Sequence, residues 1–260
     1  MAELVHAQLR EDGRVLGLTI DNPKGNVLTM AVMDELGAAL AEHIDDPHLR
    51  LVTLRGAGKH FSFGASVEEH QKEKAPEMLA RFRRLIIRLA SYPVPVAALV
   101  QGRCLGGAFE LALCCHFVLA TPDASFACPE IKLGVFPPAL AALGPMRLGA
   151  ARTERLLLTG ESLDAEAAKA ACFVTELAKP DEDLDELAKR FYVNELSALS
   201  AFTLRQAVKA ARQGAGMPSL LEVALTAAEE QYIAELLPSH DANEGIEAFL
   251  AKRSPVWRDA

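Results

Sequence analysis

The chain has 260 residues, half of them hydrophobic, with 24% charged and 6% aromatic residues and a formal net charge of −8. That length can bury a full core as one domain with a helical appendage, and the composition excludes a disordered or coiled-coil protein. The acidic balance disfavours a nucleic-acid groove, which needs clustered Lys and Arg against phosphates.

The N-terminal stretch MAELVHAQLREDG is charged throughout and has no apolar run of signal-peptide length, so a cytoplasmic location is expected. The first fifty-odd residues read as strand, strand, helix, strand. Residues 15–20 alternate weakly and stop at the turn cluster Asp21 to Asn26. Residues 30–44 have helical spacing through Val32, Met33, Leu36, Leu40 and Ile44, and residues 49–55 form a β-rich run ending at Gly56. Residues 61–64 close this unit. Residues 67–91 are charged and then amphipathic, with Met78, Leu79, Phe82, Leu85, Ile86 and Leu89 on one side. Pro93 and Pro95 introduce a strand over 94–100 that ends at Gly102. Residues 105–113 suit a helix opened by Gly106 and Gly107, and 117–120 suit a further strand.

Beyond Leu148 the character changes. Helical patterns cover 152–159, 165–171, 184–199, 202–212, 220–236 and 244–252, and residues 172–177 are the one strand expected there. The alternation predicts an α/β core of stacked strand-strand-helix turns under a C-terminal helical layer. We divide the chain into a core over 1–195 and a C-terminal helical region over 196–260.

Cys104, Cys114, Cys115, Cys128 and Cys172 are odd in number and lie mostly in apolar runs, as free thiols in a reducing compartment do. The adjacent Cys114 and Cys115 lack C-x-x-C spacing and the seven His residues form no ligand cluster, so no metal is expected. Gly102, Gly106 and Gly107 are wrongly spaced for a dinucleotide fingerprint, which argues against a nicotinamide cofactor.

Three segments carry chemistry. In residues 58–67, Gly64 lets the chain reverse so that the Ala65 amide can face a cavity; an ordinary strand-to-helix turn is the plainer reading of that segment alone. In residues 100–113, the paired Gly106 and Gly107 after a strand leave free amides at a helix N-terminus, suited to an anionic oxygen. Glu110 on that apolar helix must be paired, solvated in a pocket or raised in pKa. In residues 124–138, Pro129 precedes a second carboxylate, Glu130, in a loop or at a helix start. Either acid taken singly could be structural.

Together the three segments resemble the enoyl-CoA hydratase/isomerase (crotonase) superfamily, whose hallmarks are an F-x-x-G-A-D-like turn, a G-x-x-x-G-G-G-x-E-L-A-L helix start and a P-E-x-x-L-G-x-x-P stretch. The likeness runs from Asn22 and Pro23 to the tail around Phe249 and Pro255. It implies a crotonase-like spiral and an oxyanion hole made by the amides of Ala65 and Gly107. It also implies a glutamate pair, Glu110 and Glu130, that adds water to an α,β-unsaturated CoA thioester. The resemblance assigns water activation to Glu110 and the α-proton to Glu130. It further implies contacts of Phe249 and Lys252 with the CoA of a neighbouring subunit in a homotrimer or dimer of trimers. No cofactor is implied beyond the coenzyme A of the substrate.

The chain departs from the pattern at Ser66, which replaces the common Asp, at Ala108, which replaces a glycine, and at Pro137, Pro138, Ala139 and Leu140, which replace a glycine-rich stretch. The last four make a bulkier wall if they line the pocket. Phe63 and Ser66 are candidate substrate contacts. The run FSFGASVEEH at 61–70 resembles cyclohexa-1,5-diene-1-carbonyl-CoA hydratases of anaerobic aromatic degradation. A double-bond isomerase of the same fold, or a non-catalytic CoA- or RNA-binding subunit, is the alternative.

Overall fold

The computed structural model describes residues 3–260. The order is β1 (Val5–Arg10), β2 (Val15–Ile20), α1 (Met30–Glu42), β3 (Leu51–Gly56), α2 (Ala75–Ala90), β4 (Val96–Val100), β5 (Arg103–Leu105), α3 (Gly107–Cys114), β6 (Phe117–Ala120) and β7 (Ser125–Ala127). Then follow α4 (Pro138–Leu148), α5 (Ala150–Thr159), β8 (Ser162–Asp164), α6 (Ala165–Ala170), β9 (Glu176–Leu177), α7 (Leu184–Phe191), α8 (Ala201–Gly214), α9 (Ser219–Gln231) and α10 (His240–Leu250).

A six-stranded sheet runs β1-β2-β3-β4-β6-β9, and a three-stranded sheet runs β5-β7-β8. The first is antiparallel only at β1 with β2 and parallel elsewhere, as helical crossovers between successive strands require. The central strands β2, β3, β4 and β6 are buried on both faces, and their period of two divides the core. Leu16, Val52, Ala98 and Val118 join the large cluster that also contains α1, α2 and α3 residues. Val15, Leu51, Ala97, Leu99 and Leu119 point the other way, against Leu184, Leu187 and Phe191 of α7. This is the expected α/β spiral with its helical layer.

Helix boundaries follow local chemistry. Thr29 caps α1 by accepting the Val32 amide, and Asp183 and Glu186 form a reciprocal capping box on α7. The amphipathic run before Pro93 becomes α2, with Met78, Leu79, Phe82, Leu85, Ile86 and Leu89 buried.

Several elements differ from the sequence reading. β5, β7 and β8 have three residues each, too few for alternation to register, and β8 adds a strand to the C-terminal part. The strand expected over 172–177 shrinks to β9, because Cys172 takes a positive φ of 58° in a turn. α4 was not anticipated, since Pro145 lies inside it and Pro137 and Pro138 at its start obscure the periodicity. The helices expected over 184–199 and 220–236 each end in a π turn, Tyr192–Leu196 and Tyr232–Leu236.

Residues 196–260 form the last three helices, and Met217, Leu221, Leu225, Tyr232 and Ile246 enter the same large cluster as the central strands. α10 packs on the two 3-10 turns Val67–His70 and Pro129–Leu133, which flank the candidate site.

Candidate active site

Gly64 has a φ of +90°, a conformation that glycine adopts without strain. A Cβ there would stand 2.5 Å from the Leu105 carbonyl oxygen and 3.2 Å from the Gly107 amide nitrogen. A Cβ on Gly107 would in turn stand 3.4 Å from the Ala65 amide nitrogen. The amides of Ala65 and Gly107 thus lie side by side, and neither donates a hydrogen bond among the described residues. Gly107 is the first residue of α3, so both amides sit at the positive end of that helix. Such a pair can hold one anionic oxygen.

The loop bearing Ala65 is held from behind. The Gly64 amide donates to Ser62 Oγ at 3.0 Å, and Ser62 Oγ donates to the Asn26 carbonyl at 2.7 Å. Asn26 Nδ2 donates to the carbonyls of Ala57 and His60, each at 2.9 Å. Asn26 sits at a positive φ of 52°, which asparagine tolerates better than most residues. Neither Asn26 nor Ser62 was singled out from sequence, although the dense turn cluster ending at Asn26 marked the place.

Glu110, in the first helical turns of α3, is only 3% exposed. Its Oε1 accepts the Leu140 amide at 2.7 Å. Pro138 opens α4 and has no N–H, so Ala139 and Leu140 carry the first free amides of that helix. Burial pushes the Glu110 carboxyl well above the usual range, and these two amides work against that rise. Residues 137–140 are not among those lining the cavity, so they do not form the expected bulky wall; Leu140 instead carries the amide that holds Glu110.

Glu130 lies in the 3-10 turn after Pro129. Its Oε1 is 2.5 Å from where a Cβ on Gly106 would stand, and its Oε2 is buried without a hydrogen-bond partner. Burial and then the charge of Glu110 raise its carboxyl. Two carboxyls close enough for the charge of one to raise the other titrate as a unit. The structure therefore brings Glu110 and Glu130 together, and Gly106 and Gly107 join them to the paired amides.

A cavity of about 430 Å³ reaches Ala65, Gly106 and Glu130, while Glu110 and Gly107 are not among its lining residues. Ala65, Leu105, Gly106 and Glu130 line it together with the apolar side chains of Val67, Leu133, Val135 and Ile246. Phe63 and Phe249 also line it while remaining exposed, Phe249 arriving on α10 of the same chain. His70 contributes a polar group to the wall, with Nδ1 2.7 Å from the Ser66 carbonyl; sequence reading did not single it out. Ser66 and Lys252 are not among the cavity-lining residues. Ser66 precedes the 3-10 turn, and Lys252 is exposed beyond the end of α10.

The family model for enoyl-CoA hydratase/isomerase matches residues 10–260. A cyclohexa-1,5-dienecarbonyl-CoA hydratase of Thauera aromatica is 41% identical, over 96% of this chain and 95% of its own. A probable enoyl-CoA hydratase of Bacillus subtilis is 32% identical, over 96% of this chain and 97% of its own. Among solved structures, an enoyl-CoA hydratase from Mycobacterium avium subsp. paratuberculosis superposes with a TM-score of 0.86 at 30% identity, covering all of both chains.

Proposed function

The chain belongs to the enoyl-CoA hydratase/isomerase family and is a hydro-lyase of the enoyl-CoA hydratase type, and on that premise we propose that it hydrates a cyclic dienoyl thioester, cyclohexa-1,5-diene-1-carbonyl-CoA, with Glu110 and Glu130 as its acid/base pair. The observation that carries this reading is that Gly106 and Gly107 bring the Glu130 carboxyl and the α3 helix bearing buried Glu110 beside two unbonded amides, with Ala65, Gly106 and Glu130 lining an apolar cavity.

In this mechanism the thioester oxygen accepts hydrogen bonds from the Ala65 and Gly107 amides. Water lies between the two carboxyls. Ionised Glu110 takes one proton from it as the oxygen bonds to the β-carbon, and the π electrons move onto the thioester oxygen as an enolate. Neutral Glu130 then gives its proton to carbon as the enolate collapses. Water has been added as H and OH, and return of the proton from Glu110 to Glu130 restores the starting state, so the cycle needs no redox partner. Each amide supplies roughly 3 kcal/mol to the enolate-like transition state, the usual scale for one such donor. α4 supports ionisation of Glu110 through its first two free amides, whereas Glu130 Oε2 has no comparable donor. That asymmetry favours Glu110 as base and Glu130 as acid.

The cyclic substrate is supported by the 41% identity to the Thauera enzyme and by the FSFGASVEEH run at 61–70. Phe63 and Phe249 at the exposed part of the cavity are proposed to pack against the CoA portion. A homotrimer or dimer of trimers is proposed as the assembly, for which exposed Phe202, Leu220 and Val223 offer apolar surface.

The test is product analysis with cyclohexa-1,5-diene-1-carbonyl-CoA beside crotonyl-CoA. A hydroxycyclohexenyl thioester formed in preference to 3-hydroxybutyryl-CoA is expected. A shifted double bond with no hydroxylated product overturns hydration in favour of isomerisation. Preference for the linear substrate overturns the ring assignment alone.

A further inference from the structure

Tyr232 opens the π turn after α9 and is 1% exposed, yet its hydroxyl has no hydrogen-bond partner among the described residues. A buried hydroxyl left unpaired is destabilising, so a sequence that keeps one needs a reason. Glu130 Oε2 is a second buried oxygen with no partner.

The fold brings the two residues to one region. The Tyr232 ring packs edge-on against Phe136, with centroids 5.6 Å apart. Phe136 belongs to the short segment that links Glu130 to α4, whose first turn holds Glu110, and α4 itself packs on α9. The Glu130 charge adds to burial in raising the Tyr232 phenol above its ordinary pKa, so the hydroxyl stays protonated and remains a donor. Yet no direct hydrogen bond joins Tyr232 to Glu130.

One group can satisfy both orphans only if it accepts from the phenol and donates to the carboxyl. A water molecule or an alcohol does both; a hydrocarbon acyl chain does neither. We propose that the Tyr232 hydroxyl is a third polar contact in the site, donating to the water oxygen that is added and afterwards to the hydroxyl of the product.

Water has four hydrogen-bonding directions. Its two protons go to the carboxyls of Glu110 and Glu130, and one lone pair accepts from Tyr232. The second lone pair is then left facing the β-carbon, so the phenol orients the nucleophile that the carboxyls activate. This role deepens the hydratase reading and rests on it.

The variant Tyr232→Phe removes one oxygen and keeps the ring packing against Phe136. The expected result is a fall in kcat of about tenfold or more, with KM within about threefold, because a positioning contact to water is lost while acyl-CoA contacts remain. Thermal stability should hold or rise, since a buried unpaired hydroxyl has gone. A purely structural tyrosine predicts unchanged kcat.

Binding provides a readout independent of turnover. Wild type should bind 3-hydroxybutyryl-CoA about two- to tenfold tighter than butyryl-CoA, the range of one neutral hydrogen bond, and Tyr232→Phe should lose that preference. If Tyr232→Phe keeps both wild-type kcat and the hydroxyl preference, the proposal falls while the hydratase reading stands. If wild type hydrates no enoyl thioester, the hydratase reading falls. The binding comparison then decides the Tyr232 contact: a preference absent from wild type, or retained by the variant, overturns it.

Discussion

Glu130 Oε1 lies 2.5 Å from the position a Cβ on Gly106 would occupy, so the placement of the acid depends on the absence of a side chain at the glycine. Gly106 also has a φ of 52° and a ψ of −129°, which an L-residue adopts only with strain. Gly106→Ala is therefore expected to lower kcat by about a hundredfold or more by displacing the carboxyl, and to lower Tm, the strain being about 1–3 kcal/mol. Steady-state kinetics with a melting curve test this; wild-type kcat in the variant would remove Glu130 from the chemistry.

Glu110→Gln and Glu130→Gln should each reduce kcat by about 10²–10⁴-fold, the range of a lost general acid or base. Binding of a saturated acyl-CoA should change little, since neither side chain is needed to pack the thioester. Calorimetric titration beside turnover assays separates the two quantities. A large affinity loss with kcat preserved would assign these acids to binding instead.

The coupling of the two carboxyls sets a pH dependence. Burial raises both carboxyls, and the charge of Glu110 raises Glu130 further, so the singly protonated pair is the working form. The kcat profile should fall on the acid side as Glu110 gains its proton, and on the alkaline side as Glu130 loses one. Both limbs should lie near neutrality, well above the ordinary range of an exposed carboxylate. A flat profile from about pH 5 to pH 9 contradicts the pairing.

Glu229 offers a stability test away from catalysis. It pairs with Arg83 Nε at 2.9 Å, yet burial still pushes its carboxyl up to about 7 from an ordinary value of 4.5. The folded state then holds this proton more tightly than the unfolded chain. The associated stability is complete below about pH 4.5 and is lost as pH rises through about 7. Glu229→Gln should thus gain in Tm relative to wild type between about pH 5 and pH 8. Parallel Tm curves for the two proteins over that range count against the assignment.

Phe249→Ala tests the cavity mouth. Phe249 lines the cavity while 53% exposed, so its loss should raise KM for the CoA thioester by about three- to tenfold with kcat nearly unchanged. A kcat loss with unchanged KM would mean that α10 acts on the carboxyls and not on the bound ester.

Much of this protein was legible in its residues because the signals are local. The period of two in β2, β3, β4 and β6 and the stripe of buried residues on α2 follow from backbone geometry, which places alternate or i, i+3, i+4 residues on one face. The order of the Gly64, Gly106 to Glu110 and Pro129 to Glu130 segments along the chain was enough to suggest the family and to nominate Glu110 and Glu130. Tertiary structure alone decided what surrounds those acids. That Leu140 holds Glu110 across thirty positions, that Ser62 and Asn26 brace the Ala65 loop, and that Tyr232 and Phe249 come from the last helical layers are products of packing between distant segments. Their chemistry is invisible locally because a backbone amide, a buried serine and an unpaired phenol carry no periodic pattern. Only the close approach of elements remote in sequence supplies the low-dielectric surroundings that raise the carboxyls and make those contacts matter.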